Sequence, residues 1–334
     1  MTTLRFAAMA LALACALATP ARAGAGFTDL AFIDPVDGGK MPVIVFYPSE
    51  AEGRADIGSY HLAAARDAGP RPSRYPLVIL SHGSGGTRLG HHDSLAALAE
   101  AGFVAAAVEH PRDNYRDQSG QGTDRQLYGR AADITATIDG LLADPEFGPL
   151  IDPARIGIAG FSAGGYTALI TVGARPDPAG FASYCRDQAD DAVFCRGRPA
   201  VTPADGGRHF GPPPPSLRDT RLRAAFVMAP GFGFLFDRAG LAGVDVPVRL
   251  YRGENDEVLR QPWHAQRIAD NLPRPPEYEV IPGAGHYVFL VPCAAEVAGR
   301  YPVLCNDPPG VDRIAVHQRL NDEMVDFFKR TLKS

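Results

Sequence analysis

The residues best placed to do chemistry are a serine, a histidine and an aspartate, the set that performs nucleophilic acyl transfer. Ser162 lies in Gly160-Phe161-Ser162-Ala163-Gly164. The apolar run Arg155-Ile156-Gly157-Ile158-Ala159 before it predicts a buried parallel strand. Tyr166-Thr167-Ala168-Leu169-Ile170 after it predicts a helix packed on that strand. A serine between strand and helix, with a glycine two positions away on each side, has the pattern of a nucleophile elbow. The turn forces strained backbone angles on the serine and presents its hydroxyl at the carboxyl edge of the sheet, in front of a helix N-terminus that favours negative charge.

A hydroxyl is a weak nucleophile until a base takes its proton. Of the nine histidines, His286 alone ends a short small-residue loop, Pro282-Gly283-Ala284-Gly285, directly after the last predicted strand. It is the expected general base. His91, His92 and His110 read as cleft-wall or capping residues, His82 as a structural residue of its loop, and His61, His209, His264 and His317 as surface positions. The base needs an acid to hold its tautomer. Three carboxylates follow one predicted strand in Arg252-Gly253-Glu254-Asn255-Asp256-Glu257-Val258. Asp256 is the choice, with Glu254 and Glu257 as alternatives. The chain order Ser162, Asp256, His286 is that of the α/β-hydrolases. A tetrahedral intermediate would also need two backbone N–H donors. These are assigned to Ala163, after the nucleophile, and to Ser84 in the turn Ser81-His82-Gly83-Ser84-Gly85-Gly86.

The same turn has the glycine content of a phosphate loop, but no G-K-[ST] follows it and the dinucleotide fingerprint is absent. No C-x-x-C or H-x-x-x-H spacing suggests a metal, so neither metal nor cofactor is expected. A net charge of −5 gives no support for nucleic-acid binding.

These residues require a scaffold of strands alternating with helices. Short β-rich runs are predicted at Phe27 to Phe32 and Pro42 to Tyr47, joined by the hairpin signal Asp37-Gly38-Gly39. Residues 48–75 read as surface loop. Buried strands follow at Pro76 to Leu80, Phe103 to Val108, Ile156 to Ala159, Ala224 to Met228, Val246 to Tyr251 and Tyr278 to Ile281. Helical spacing recurs over Leu127 to Leu142, Pro262 to Asn271 and a closing segment with Leu320, Met324, Phe327, Phe328 and Leu332 on one face. The pattern predicts an α/β fold: one domain over 24–334, with a mostly parallel, doubly wound sheet covered on both faces. Residues 175–220 form too long a connection for such a fold and are expected to be a lid insertion.

Residues 1–23 read as an export signal. Arg5 gives the positive region, Phe6 to Ala18 the apolar region and Ala21-Arg22-Ala23 the cleavage site. The apolar stretch is too short to span a bilayer. Cys15 offers a lipoprotein alternative, but Ala12 stands three positions before it. Four cysteines remain after cleavage, Cys185, Cys195, Cys293 and Cys305, an even number that suits disulfides in an exported chain. Three pairings are possible. The local one, 185 with 195 and 293 with 305, is preferred because it closes two short loops.

With these residues in place, the chain resembles the exported, dienelactone-hydrolase-related α/β-hydrolases, a group similar to platelet-activating-factor acetylhydrolases. The resemblance runs from about Phe27 to Leu332. It rests on Tyr47-Pro48-Ser49, Leu80-Ser81-His82-Gly83, the elbow, Ala229-Pro230-Gly231, and Gly285-His286 followed by Cys293 and Cys305. Dienelactone hydrolases proper use a cysteine where Ser162 stands. The acetylhydrolases take their acid from the strand after the elbow, which here ends in Ala229-Pro230, and this strengthens Asp256. The arrangement is also similar to secreted cutinase-like polyester hydrolases. The resemblance implies carboxylic-ester hydrolysis on a small or polymeric substrate. An acyltransferase or amidase with the same residues, or a non-catalytic binding protein on the same fold, are the rival expectations.

Overall fold

A computed structural model describes residues 24–195, 211, 214 and 216–333. The proposed signal segment, His209 and residues 196–210 of the expected lid therefore lie outside the described residues.

Among the described residues, nine strands form one sheet in the order β11-β10-β9-β8-β6-β7-β2-β1-β5, and β3 pairs with β4 apart from it. The strands are β1 (Gly24–Ile33), β2 (Lys40–Ser49), β3 (Ala55–Ile57), β4 (Tyr60–Leu62), β5 (Ala65–Arg66), β6 (Tyr75–Ser81), β7 (Val104–Val108), β8 (Ile151–Phe161), β9 (Leu222–Met228), β10 (Val248–Gly253) and β11 (Glu277–Ile281). β1 and β2 make the expected hairpin, and β2 meets β7 antiparallel. From β7 through β6, β8, β9 and β10 to β11 all pairings are parallel. The runs in β6, β7 and β8 are continuously apolar because helices cover both faces of a parallel sheet. Leu77–Ile79, Val104–Ala106, Ile156, Ile158 and Ala159 are all fully buried.

The helices are α1 (His92–Glu100), α2 (Arg130–Ala143), α3 (Ala163–Thr171), α4 (Gly180–Asp187), α5 (Arg238–Leu241), α6 (Ala265–Asn271), α7 (Ala295–Ala298), α8 (Pro302–Cys305) and α9 (Arg313–Thr331). α1 packs with α9, and α2 with α3. The closing helix buries Leu320, Met324, Phe327, Phe328 and, just past its end, Leu332, the stripe its spacing predicts. Two expectations need correction. Residues 48–75 are not all loop, since they contain the short strands β3 to β5, too brief to leave a periodic signal. His264 and His317 are not surface residues: both are buried, His264 completely. His61 is exposed, as expected.

Strand order decides where a site can form. The chain goes from β6 to β7 on one side, then returns to place β8 on the other side of β6. At such a reversal the loops after neighbouring strands diverge and leave a crevice at the carboxyl edge. The turn after β6 and the elbow after β8 both border it.

Candidate active site

Ser162 has φ 56° and ψ −118°, a backbone conformation that side chains rarely adopt. Its N–H donates to Met228 O at 2.9 Å, and its carbonyl accepts from Gly231 N at 3.0 Å and Tyr166 N at 3.1 Å. The strained residue is thus held by the end of β9, the turn after it and α3. The flanking glycines are steric requirements. A Cβ on Gly160 would collide with the Gly164 carbonyl, and one on Gly164 with the Ser81 carbonyl at the end of β6.

His286 starts a short helical turn after β11, and Asp256 lies in the loop after β10. These loops are laced together by Glu254 N to Ile281 O and Asn255 N to Ala284 O, at 3.0 and 2.9 Å. Asp256 Oδ2 lies 2.8 Å from His286 Nδ1, and His286 Nε2 lies 3.1 Å from Ser162 Oγ. A carboxylate only accepts, so Nδ1 carries the hydrogen and Nε2 is free to accept the serine proton. The other Asp256 oxygen accepts from Val258 N at 3.0 Å and Leu259 N at 2.7 Å, which fixes the carboxylate. The His286 and Asp256 side chains are 2% and 1% exposed, so their bond is shielded from water. The Phe161 ring lies against the imidazole, with centroids 4.8 Å apart.

The alternative acids do other work. Glu257 Oε2 accepts from the His286 backbone N at 3.0 Å, and Glu254 Oε2 accepts from Gly283 N at 2.8 Å. Both carboxylates shape the histidine loop without touching the imidazole.

Ala163 opens α3, so its N–H lacks an intrahelical acceptor. The turn after β6 passes close over the serine: a Cβ built on Gly83 would sit 3.3 Å from Ser162 Cβ. In that turn Gly83 O accepts from His82 Nδ1 at 2.6 Å and from Gly86 N at 3.0 Å. His82 Nε2 accepts from His110 N at 3.1 Å. Both nitrogens of His82 are therefore spent on backbone, as a structural histidine requires. Burial first, then the nearby Arg130 and His110, hold its pKa well below the ordinary value, which keeps it neutral.

Sequence reasoning missed the polar layer beneath this turn. Asp113, from the loop after β7, and Arg130, from α2, are buried and joined at 2.7 Å. His110 bridges Ser81 Oγ and Asp133 Oδ2, both at 2.8 Å, and Arg125 donates to Asp133 at 2.9 Å. One signal was available. Arg130 shares a helical stripe with Ile134, Thr137 and Leu141, where a charge needs a buried partner.

Both expected disulfides are present, Cys185–Cys195 and Cys293–Cys305. The first braces α4 to the segment after it. From there Tyr184 stacks on Phe234 at 4.1 Å, and Phe194 lies 5.2 Å from Phe232. Those phenylalanines follow Gly231, so the insertion reaches the elbow through one aromatic layer. Asp190 also receives Arg260 Nη1 at 2.8 Å, which ties the insertion to the Asp256 loop. Among the described residues, no helix is long and apolar enough to cross a membrane.

Comparison with known proteins agrees with this fold. Residues 78–300 match the model of the Alpha/beta hydrolase family. A ferulic acid esterase from Streptomyces cinnamoneus is similar over 94% of this chain and 92% of its own, with a TM-score of 0.63 at 21% identity. A dienelactone hydrolase-like promiscuous phosphotriesterase from metagenomic libraries is similar over 93% and 100%, with a TM-score of 0.55 at 15% identity. At these identities the likeness speaks for the fold.

Proposed function

Given that the chain belongs to the alpha/beta hydrolase family, we propose that it is a serine hydrolase that cleaves carboxylic esters through an acyl-enzyme. The observation that carries this reading is the hydrogen-bonded line from Asp256 through His286 to Ser162, with the serine held in a strained turn. Ser162 Oγ attacks the ester carbonyl while His286 Nε2 takes its proton. The oxyanion is met by the N–H groups of Ala163 and Ser84. Collapse expels the alcohol, to which His286 returns the proton. Water, activated by the same imidazole, then attacks the acyl-serine and frees the acid. Asp256 stays ionised, orients the ring and stabilises the imidazolium.

Within this reading residues 175–220 serve as a disulfide-braced lid and residues 1–23 direct export, which the two disulfides favour. Kinship with the dienelactone-hydrolase-related group is the finer placement, supported by Leu80-Ser81-His82-Gly83 and the elbow.

The test is hydrolysis of p-nitrophenyl acyl esters of graded chain length. Ser162→Ala should lose about six orders of magnitude in kcat, as loss of the nucleophile does in another serine hydrolase, while keeping the wild-type circular dichroism. Near wild-type turnover in that variant would refute the assignment.

A further inference from the structure

We propose that Asp113 is a positioning residue that fixes the Ser84 amide over Ser162. The inference rests on the acyl-transfer reading above and explains how one of its two oxyanion donors is aimed.

The direction of the Ser84 N–H is set by the peptide that carries it. In a trans peptide the carbonyl and the N–H point in opposite directions. The carbonyl of the Gly83–Ser84 peptide is held by His82 Nδ1 and Gly86 N, at 2.6 and 3.0 Å. The Ser84 N–H must then point away from these donors, and among the described residues no group accepts from it. This peptide would swing if the residue after it were loose. Asp113 prevents that. Its Oδ1 accepts from Ser84 Oγ at 2.8 Å and from Gly85 N at 3.1 Å, gripping Ser84 by its side chain and by the next amide. Ser84 is exposed, yet its hydroxyl is turned inward to this carboxylate.

Asp113 is itself fixed. Gln121 Nε2 reaches Oδ1 at 3.2 Å, and Gln126 Nε2 and Arg130 Nη1 reach Oδ2 at 3.0 and 2.7 Å. Gln126 Nε2 also donates to Ser84 Oγ at 2.7 Å. Arg130 continues to Ser81 Oγ and the His82 carbonyl, so one guanidinium holds the start of the turn and the anchor of its middle. The Asp113 and Arg130 side chains are both 0% exposed. A buried ion pair contributes little net stability compared with apolar packing. Its place under this turn therefore argues for orientation.

The test compares Ser84→Ala, Ser84→Thr and Asp113→Asn on p-nitrophenyl acetate, with thermal unfolding of each. Ser84→Ala keeps the backbone amide and loses only the hydroxyl anchor. It should lower kcat about tenfold with KM nearly unchanged, and Ser84→Thr should restore it. Asp113→Asn should lower kcat about a hundredfold, the scale of a lost or misaimed oxyanion donor. Adding Ser84→Ala to Asp113→Asn should cost little more, because the hydroxyl acts only through the anchor that Asp113→Asn has already loosened. Should Asp113→Asn fail to fold, the Ser84 pair carries the test alone. Wild-type kcat in Ser84→Ala would overturn the proposal, whatever happens to the melting temperature. Ester turnover that survives Ser162→Ala would remove the underlying reading instead, and this proposal with it.

Discussion

At the scale of single residues, the two acids nearest His286 differ in what they hold. Asp256 receives two backbone amides and the imidazole, while Glu257 receives only the His286 backbone N–H. The two acids should therefore respond differently to loss of charge. Asp256→Asn presents a donor to a donor and favours the wrong imidazole tautomer, for which a loss of about four orders of magnitude in kcat is expected. Glu257→Gln keeps an oxygen for the backbone amide and should stay within about tenfold of wild type. A larger loss in Glu257→Gln than in Asp256→Asn, measured on the same ester, would reassign the acid. Ser162, His286 and Asp256 were legible in the sequence because each sits in a loop whose small residues or carboxylate run announce it. Asp113 was not. Arg130 stands out only by its place on an apolar stripe, and its partner comes from the loop after β7, which no local pattern connects to that helix.

At the scale of elements, the central parallel strands were readable because burial on both faces leaves unbroken apolar runs, whereas β3 to β5 were too short to leave one. Among the predicted strands only the ends differ, as where β10 begins at Val248 and runs on to Gly253. His264 and His317 were misread because what buries them comes from elsewhere in the chain. Phe194 and Tyr184 of the insertion close over His264, and α1 closes over His317. His317, on α9, lies 2.6 Å from Asp93 Oδ2 on α1 through Nδ1, and its Nε2–H donates to Val288 O at 3.0 Å. Val288 belongs to the turn that starts with His286. Val291 N adds a bond to Gly90 O at 3.0 Å. The histidine turn is thus pinned by two elements besides the neighbouring disulfide. Replacing Cys293 and Cys305 by alanine should cost roughly 3 kcal/mol in stability by loop entropy, yet leave kcat of the folded protein within about tenfold. His317→Leu should do more damage to kcat, since it cuts the turn from α9 and α9 from Asp93 of α1 together. Chemical unfolding and ester kinetics on both variants separate the effects; a greater kcat loss in the cysteine variant would show that the bridge is the main brace.

At the scale of the whole molecule, the number of buried histidines has a consequence for acid stability. Burial holds the pKa of His91 down to about 4 and that of His264 down to about 3. His92 is lowered too, and His110 and His82 lie well below the ordinary value, again chiefly by burial. Neither ring nitrogen of His264 has a hydrogen-bond partner among the described residues. In the unfolded chain these rings titrate near pH 6.5. As pH falls below that value, the unfolded state takes up protons that the folded state refuses. Each such histidine then costs about 1.4 kcal/mol per pH unit until its folded pKa is reached. Asp133 works in the opposite sense. Burial outweighs Arg125 and raises its carboxyl to about 6, so the folded state binds that proton first and recovers about 2 kcal/mol between pH 6 and 4. Asp93 extends the loss further down. Burial alone would raise its carboxyl, but His317 and Asn321 hold it below the usual range, so its contribution disappears only as pH falls beneath about 4. His91 and His264 together should remove about 3 kcal/mol between pH 6.5 and 5, a large share of the stability of an ordinary domain. Unfolding on acidification is therefore expected above the range where carboxylates alone would cause it. His264→Phe, which keeps an aromatic ring in the same cage, should shrink the difference in urea-unfolding free energy between pH 7 and pH 5 by about 2 kcal/mol. An undiminished difference in that variant would mean that the unfolded chain's proton uptake comes from other groups.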